Sequence, residues 1–204
     1  MERHIALERL QELVGEDLHK IAIEYKVALE GESGKINKGW AGQTFERYLG
    51  LPLNSSRAPN FGSWELKSVS IKIKKNGVFA FKETMAITMI DARHVEITPF
   101  HDSHLLKKLK KAIIVARIVG DDVHAPTSVH SVTTIDLEGE IYDQVESDYV
   151  EVQRCICDSQ RGFDCLTGHM GFYVQPRTKG SGHGSSTRAF YARKNFLGEY
   201  IKLI

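Results

Sequence analysis

Glu65 and Lys67 stand two residues apart in Trp64-Glu65-Leu66-Lys67-Ser68-Val69-Ser70-Ile71-Lys72-Ile73, a stretch that alternates with the two-residue period of a β-strand. That period puts Glu65, Lys67, Val69, Ile71 and Ile73 on one face, and Leu66, Ser68, Ser70 and Lys72 on the other. The apolar face therefore begins with an acid and a base. Burying either charge alone costs on the order of several kcal/mol unless it is paired, hydrogen-bonded or metal-bound. An acid and an amine so placed form the E-x-K half of a metal-dependent phosphodiesterase site. The carboxylate suits Mg²⁺, a hard cation that prefers oxygen, and the ammonium steadies an attacking hydroxide and the phosphate charge. The same tripeptide also occurs as a surface ion pair worth ~0.2–1 kcal/mol, so other segments must decide.

The elements needed to position this strand can be read in outline. With 204 residues and 42% hydrophobic content, the chain can bury one substantial core, and residues 1–204 read as a single domain. Apolar spacing from Ile5 to Val27 predicts one long or broken helix over 5–28. Gly31-Glu32-Ser33-Gly34-Lys35 is a loop whose spacing does not match a phosphate-binding P-loop. A helix over 38–50, stopped by Gly50, carries Glu46 beside its apolar stripe, either at a cleft or in solvent. After the strand, Asn76-Gly77 predicts a hairpin turn, with an apolar return strand over 78–90 expected in the middle of a sheet.

Beyond it, 101–112 reads as a basic amphipathic helix with Lys107, Lys108, Lys110 and Lys111 on its polar side, either solvated or facing phosphates. A buried strand (112–119), a loop (121–133) and an acidic helix (134–153) follow. A strand over 170–175 leads into a Gly- and Ser-rich loop, then a strand over 188–191 and a helix over 194–204. The net charge of +1 conceals a division. Basic residues gather at 67–75, 107–111 and 177–194, whereas 136–151 is acidic, a pattern that suits a local anion-binding face. The absence of a bilayer-length apolar run and of a basic-then-apolar start predicts a soluble, cytoplasmic protein with no membrane partner. Cys155, Cys157 and Cys165, an odd number, argue against a secreted disulfide framework. With His169 they offer four ligands for a structural zinc, but reduced thiols are the preferred expectation.

Several motifs in order resemble the MutH family, which joins the methyl-directed mismatch-repair endonuclease to GATC-cutting type II restriction endonucleases. They are Lys38-Gly39-Trp40-x-Gly42-x-x-x-Glu46, Pro59-Asn60-Phe61, Trp64-Glu65-Leu66-Lys67 and Lys82-Glu83-Thr84-Met85-Ala86-Ile87-Thr88-Met89-Ile90. The resemblance continues through Ser103–Leu109, Gln175–Gly180 and Arg188–Phe196, covering about 36 to 203. It implies an α/β, mixed-sheet fold of the restriction-endonuclease type, with a catalytic half (about 30–120) and a DNA-recognition half (about 121–204). It also implies that Glu46, Glu65, Lys67 and Lys108 form the catalytic centre and that Mg²⁺ is held by Glu65, Glu46 and position 60. The family has an aspartate at that position, and this sequence has Asn60, an amide without the negative charge a cation favours.

By the same resemblance, the 175–180 loop reads bases. Gln175 and Arg177 suit adenine and guanine edges, Lys179 a phosphate, with Lys38, Tyr191 and Lys194 as further DNA contacts. The expected activity is that of a sequence-specific type II restriction enzyme. It would hydrolyse double-stranded DNA at a GATC-type site and leave a 5′ phosphate, with two copies of the chain needed if both strands are cut. A mismatch-repair nickase and a DNA-binding protein with an inactive nuclease site stay open as alternatives. Asn60 is accordingly a trap substitution, a natural weak ligand or the mark of a binder.

Overall fold

Alternation in the E-x-K stretch produces β1 (Glu65–Ile73), and the continuous apolar run Ile113–Ala116 produces β4 (Lys111–Val119). The two lie parallel at the centre of a four-stranded sheet, with Glu65 opposite Ala112 and Lys67 opposite Ile114. The computed structural model describes residues 1–31, 34–51, 59, 61–122, 124–158, 162–180 and 187–203. The short β2 (Phe79–Phe81) pairs antiparallel with β1 only at Ile71–Ile73, and β5 (Thr127–Asp136) closes the other side antiparallel to β4. A second, three-stranded antiparallel sheet has β7 (Arg188–Ala192) between β3 (Met85–Met89) and β6 (Val174–Thr178). Pro176 is tolerated in β6 because that strand is an edge.

Each face of the larger sheet buries a separate core. Leu66, Ile113, Val115 and Val129 pack against α1 (Arg3–Gln11), α2 (Leu18–Glu24) and α3 (Trp40–Tyr48). Val69, Ile71, Ala112, Ile114 and Ala116 face the second sheet and the remaining helices. These are α4 (Ala92–Ile97), α5 (His104–Leu109), α6 (Gly139–Asp158) and α7 (Lys194–Tyr200). The result is the expected mixed α/β architecture, a mixed sheet flanked by helices. No described helix is long and apolar enough to cross a membrane.

Several expectations change in detail. The helix over 5–28 is broken in two. The 78–90 return strand is two strands in different sheets, both at edges and not central, because Lys82-Glu83-Thr84 interrupts the apolar run. The expected 121–133 loop contains most of β5, whose Ser, Thr and His residues dilute its apolar alternation. Cys155 and Cys165 are joined as a disulfide rather than left as reduced thiols, and Cys157 is free and exposed. That pairing removes two ligands from the zinc tetrad with Cys157 and His169. No cluster of three or more His, Cys, Asp or Glu side chains able to hold a metal occurs among the described residues.

Asp148 fixes the second sheet to α6. Only 2% exposed, its carboxylate accepts hydrogen bonds from the backbone N–H groups of Phe172, Tyr173 and Val174, each at 2.7 Å, and from the Gln144 amide at 2.9 Å. Gly171 begins this turn with φ +71°, and a Cβ there would collide with the Val174 carbonyl oxygen, so the clamp requires glycine. Because it leads directly into β6, the clamp sets where Gln175 and Arg177 stand. Asp148→Ala, which leaves one buried and two part-buried backbone N–H donors unsatisfied, should lower the unfolding free energy by about 2–3 kcal/mol. Asp143→Ala, on the exposed side of the same helix, should change it by less than ~0.5 kcal/mol. Urea titration of both variants checks this, and equal losses would show that the clamp has no special weight.

Candidate active site

The organising group of the site is the Glu65 carboxylate, 1% exposed at the start of β1. Trp64, buried and stacked on Phe61 with ring centroids 3.8 Å apart, holds the chain where the strand begins. Lys67, on the same strand face, places Nζ 2.9 Å from Glu65 Oε1. Lys108 reaches the same carboxylate from α5, its Nζ lying 3.1 Å from Oε1 and 3.0 Å from Oε2. That helix starts at Ser103, whose hydroxyl accepts the Leu106 N–H, and buries Leu105, Leu106 and Leu109. Lys108 stands three residues after Leu105, so it shares the buried face of the helix. The lysine expected on the polar side of this helix is therefore buried, while Lys107, Lys110 and Lys111 remain exposed.

One carboxylate shared by two ammonium groups leaves local positive charge beside a cavity of ≈590 Å³. The cavity exists because β2 covers β1 only from Ile71 onward, so the outer edge of β1 near Glu65 and Lys67 lacks a strand partner among the described residues. Glu46 on α3 lines it, together with Lys38, Lys179 and Tyr191. Partial burial at the mouth pushes the Lys179 amine below the ordinary lysine value, and the charge of Lys67 adds to this. Both effects favour an anion arriving there.

The other proposed DNA contacts lie close by. Arg177 donates from Nη1 to the Thr84 hydroxyl at 2.8 Å and stacks over the Tyr191 ring at 5.6 Å. Gln175 and Lys194 line a second cavity of ≈540 Å³, and Thr84 contributes to both cavities. Asn60 lies outside the described residues. Sequence reading missed four polar residues at the first cavity: Arg117 on β4, Ser68 on β1, and Glu83 and Thr84 after β2. A lone arginine in an apolar strand was the available signal for Arg117.

The donor set is compatible with Mg²⁺. Carboxylate oxygens from Glu65 and Glu46 border one cavity, and Mg²⁺ in phosphate sites commonly uses one or two carboxylates, with water and phosphate completing its shell. Both Glu65 oxygens already accept from ammonium groups, so a dication there must share or displace them.

Comparison with known proteins bears on this part of the chain. The model of the MutH family, described as "DNA mismatch repair enzyme MutH", matches residues 49–139. That span includes Asn60, Glu65, Lys67 and Lys108, but not Glu46 or the 175–194 residues. Among solved structures, the chain is similar to one titled "Restriction endonuclease MvaI-cognate DNA substrate complex". The two are 15% identical with a TM-score of 0.41, over 98% of this chain and 97% of that one. A comparison with curated proteins finds no match.

Coupling within the charged cluster is measurable through stability. Lys108→Ala should cost about 3 kcal/mol, since it strips a buried carboxylate of one cation. Adding Glu65→Gln should recover a large part of that loss, because an amide does not need the cation. A double-mutant cycle by urea unfolding reads the coupling directly, and additivity to within ~0.5 kcal/mol would mean that the two side chains do not depend on each other.

Proposed function

We propose that this chain, whose residues 49–139 match the model of the MutH family, is a Mg²⁺-dependent, sequence-specific endodeoxyribonuclease of the type II restriction class, acting at a GATC-type site. The observation that carries the reading is the buried Glu65 carboxylate bracketed by Lys67 and Lys108 at the edge of an open, cation-lined cavity. A structural ion pair would be expected to close its surroundings. Here Lys67, 20% exposed, opens towards the cavity.

In the proposed mechanism a backbone phosphate of double-stranded DNA enters beside Glu65. Lys67 donates hydrogen bonds to the attacking water and a non-bridging phosphate oxygen, orienting the water in line with the bond to the leaving 3′ oxygen. Glu65 and Glu46, with position 60, would hold Mg²⁺, which when bound supplies charge neutralisation and lowers the pKa of a bound water. Lys108 keeps the Glu65 carboxylate aimed. Hydrolysis leaves a 5′ phosphate at the break. Lys38, Lys179 and Lys194 hold the backbone, while Arg177 faces base edges with Tyr191 supporting its guanidinium, and Gln175, only 6% exposed, meets a base only through the second cavity.

The family description favours a second reading, a mismatch-repair nickase, and Asn60 favours a third, a DNA-binding protein whose nuclease centre is inactive. One experiment separates all three. Unmethylated, hemimethylated and methylated GATC duplexes are incubated with Mg²⁺ and the native chain, Lys67→Ala or Asn60→Asp, and each strand is followed separately. The restriction reading expects cuts in both strands, a loss of about 10²-fold or more with Lys67→Ala, and faster cutting with Asn60→Asp. Cuts confined to one strand of hemimethylated DNA favour the nickase. An Asn60→Asp variant that binds Mg²⁺ and DNA but leaves both strands intact favours the binder, and undiminished cutting by Lys67→Ala removes Lys67 from the mechanism.

A further inference from the structure

Arg117 is an unusual side chain for its position. It follows the apolar run of β4 on the strand face opposite to Glu65 and Lys67, where Ser68 and Ser70 of β1 are its neighbours. The register between β4 and β5 shifts between Ala116 and Arg117, an irregularity of the kind that re-aims a side chain beside a functional site. From there the guanidinium reaches the uncovered edge of β1, where it lines the same cavity as Glu65 and Lys67.

Its orientation is fixed on two sides. Nε donates to the Ser68 hydroxyl at 3.0 Å, and the guanidinium plane lies over the ring of Trp40, 5.8 Å from the centroid. Trp40 is itself buried and backed by His19, stacked at 4.9 Å. Among the described residues, neither terminal nitrogen of Arg117 has a hydrogen-bond partner and no carboxylate forms an ion pair with it. Burial pushes the guanidinium below the ordinary arginine value, and the charge of Glu83 offsets this only in part. Glu83 accepts instead from the Ser70 hydroxyl at 3.2 Å. A cation held rigid at one nitrogen, stacked on an aromatic ring and left with two uncommitted terminal nitrogens matches the bidentate geometry of a phosphate clamp.

We propose that Arg117 is a DNA-binding residue of this site, taking the non-bridging oxygens of a backbone phosphate adjacent to the one hydrolysed, with Ser68 and Trp40 as its positioning residues. The two phosphates would then straddle the β1 edge, one over the Glu65 face and the next over the Ser68 face. This inference rests on the nuclease reading, and the role it adds is sequence-independent positioning. Losing such a contact weakens all duplexes alike and flattens the salt dependence, unlike the loss of a base contact.

The test is binding of the full chain to a labelled GATC duplex with Ca²⁺ in place of Mg²⁺, over a range of salt. The duplex series carries a single neutral methylphosphonate at successive backbone positions around the site. For the native protein, one position flanking the cut should weaken binding several-fold through loss of the Arg117 contact. In Arg117→Met that position should have no further effect, other positions should keep theirs, and the slope of log K against log salt should be shallower by about 0.9. Circular dichroism checks folding. If the Met variant does not fold, Arg117→Lys carries the test, and the methylphosphonate effect at the same position should shrink at least threefold because the fork is lost. A folded variant with the native salt slope and native methylphosphonate profile would overturn the assignment and make Arg117 a structural pillar. That result leaves the nuclease reading standing if the native protein still binds and cuts DNA, whereas a native protein that binds no duplex removes both.

Discussion

A carboxylate withdrawn from water must be compensated where it stands, and Glu65 meets that requirement with two ammonium groups from different parts of the chain. Lys67 comes with the strand itself, two residues on. Lys108 comes from α5 across the parallel pairing of β1 with β4, the strand that follows that helix. The need to bring Lys108 to Glu65 thus ties the placement of a helix to the register of the central strands. Two cations on one anion overcompensate it, and the surplus positive charge lies beside an opening. A site intended only for stability gains little from such an arrangement, because well-packed apolar residues often serve at least as well as a buried ion pair.

The opening depends on something the larger sheet leaves undone. β2 is too short to cover the start of β1, and the second sheet turns away after Lys82-Glu83-Thr84, leaving an edge from which side chains of both strand faces reach one cavity. The far wall is held in place by Asp148, whose carboxylate gathers three consecutive backbone donors and so sets the start of β6. Arg177 on that strand and Tyr191 on its neighbour β7 then stack on each other at the rim. A buried carboxylate at the cavity, Glu65, and another behind β6, Asp148, each fix a rigid element, which is how a site on loops and edges keeps its geometry.

Much of this was legible in the sequence, because β1 has a clean two-residue period and a charge pair that violates it. That violation singled out Glu65 and Lys67, while the surrounding motifs were needed to separate a site from a surface ion pair, and the apolar stripe of α3 put Glu46 at a boundary. Lys108 illustrates the limit of periodicity. Among four lysines in five positions, only tertiary contact with Glu65 decides which one is buried. Asp148 was hidden in the same way among the acids of α6, and Arg117 behind an apolar run that gave no hint of an open edge beside it. The β5 strand was obscured by polar residues that a sheet margin tolerates, and the spacing of Cys155, Cys157 and Cys165 carries no information about which two approach each other.

If this site cuts DNA, the Glu65 carboxylate, with its two lysines, receives a divalent cation and a DNA phosphate together. Anomalous diffraction from a crystal of the chain bound to a GATC duplex and Mn²⁺ tests it most directly. A metal peak is expected about 2.1 Å from a Glu65 oxygen, with a phosphate oxygen in the same coordination shell and Lys67 facing it. A duplex seated on another face, with Glu65 still closed by Lys67 and Lys108 and no metal beside it, would contradict that expectation.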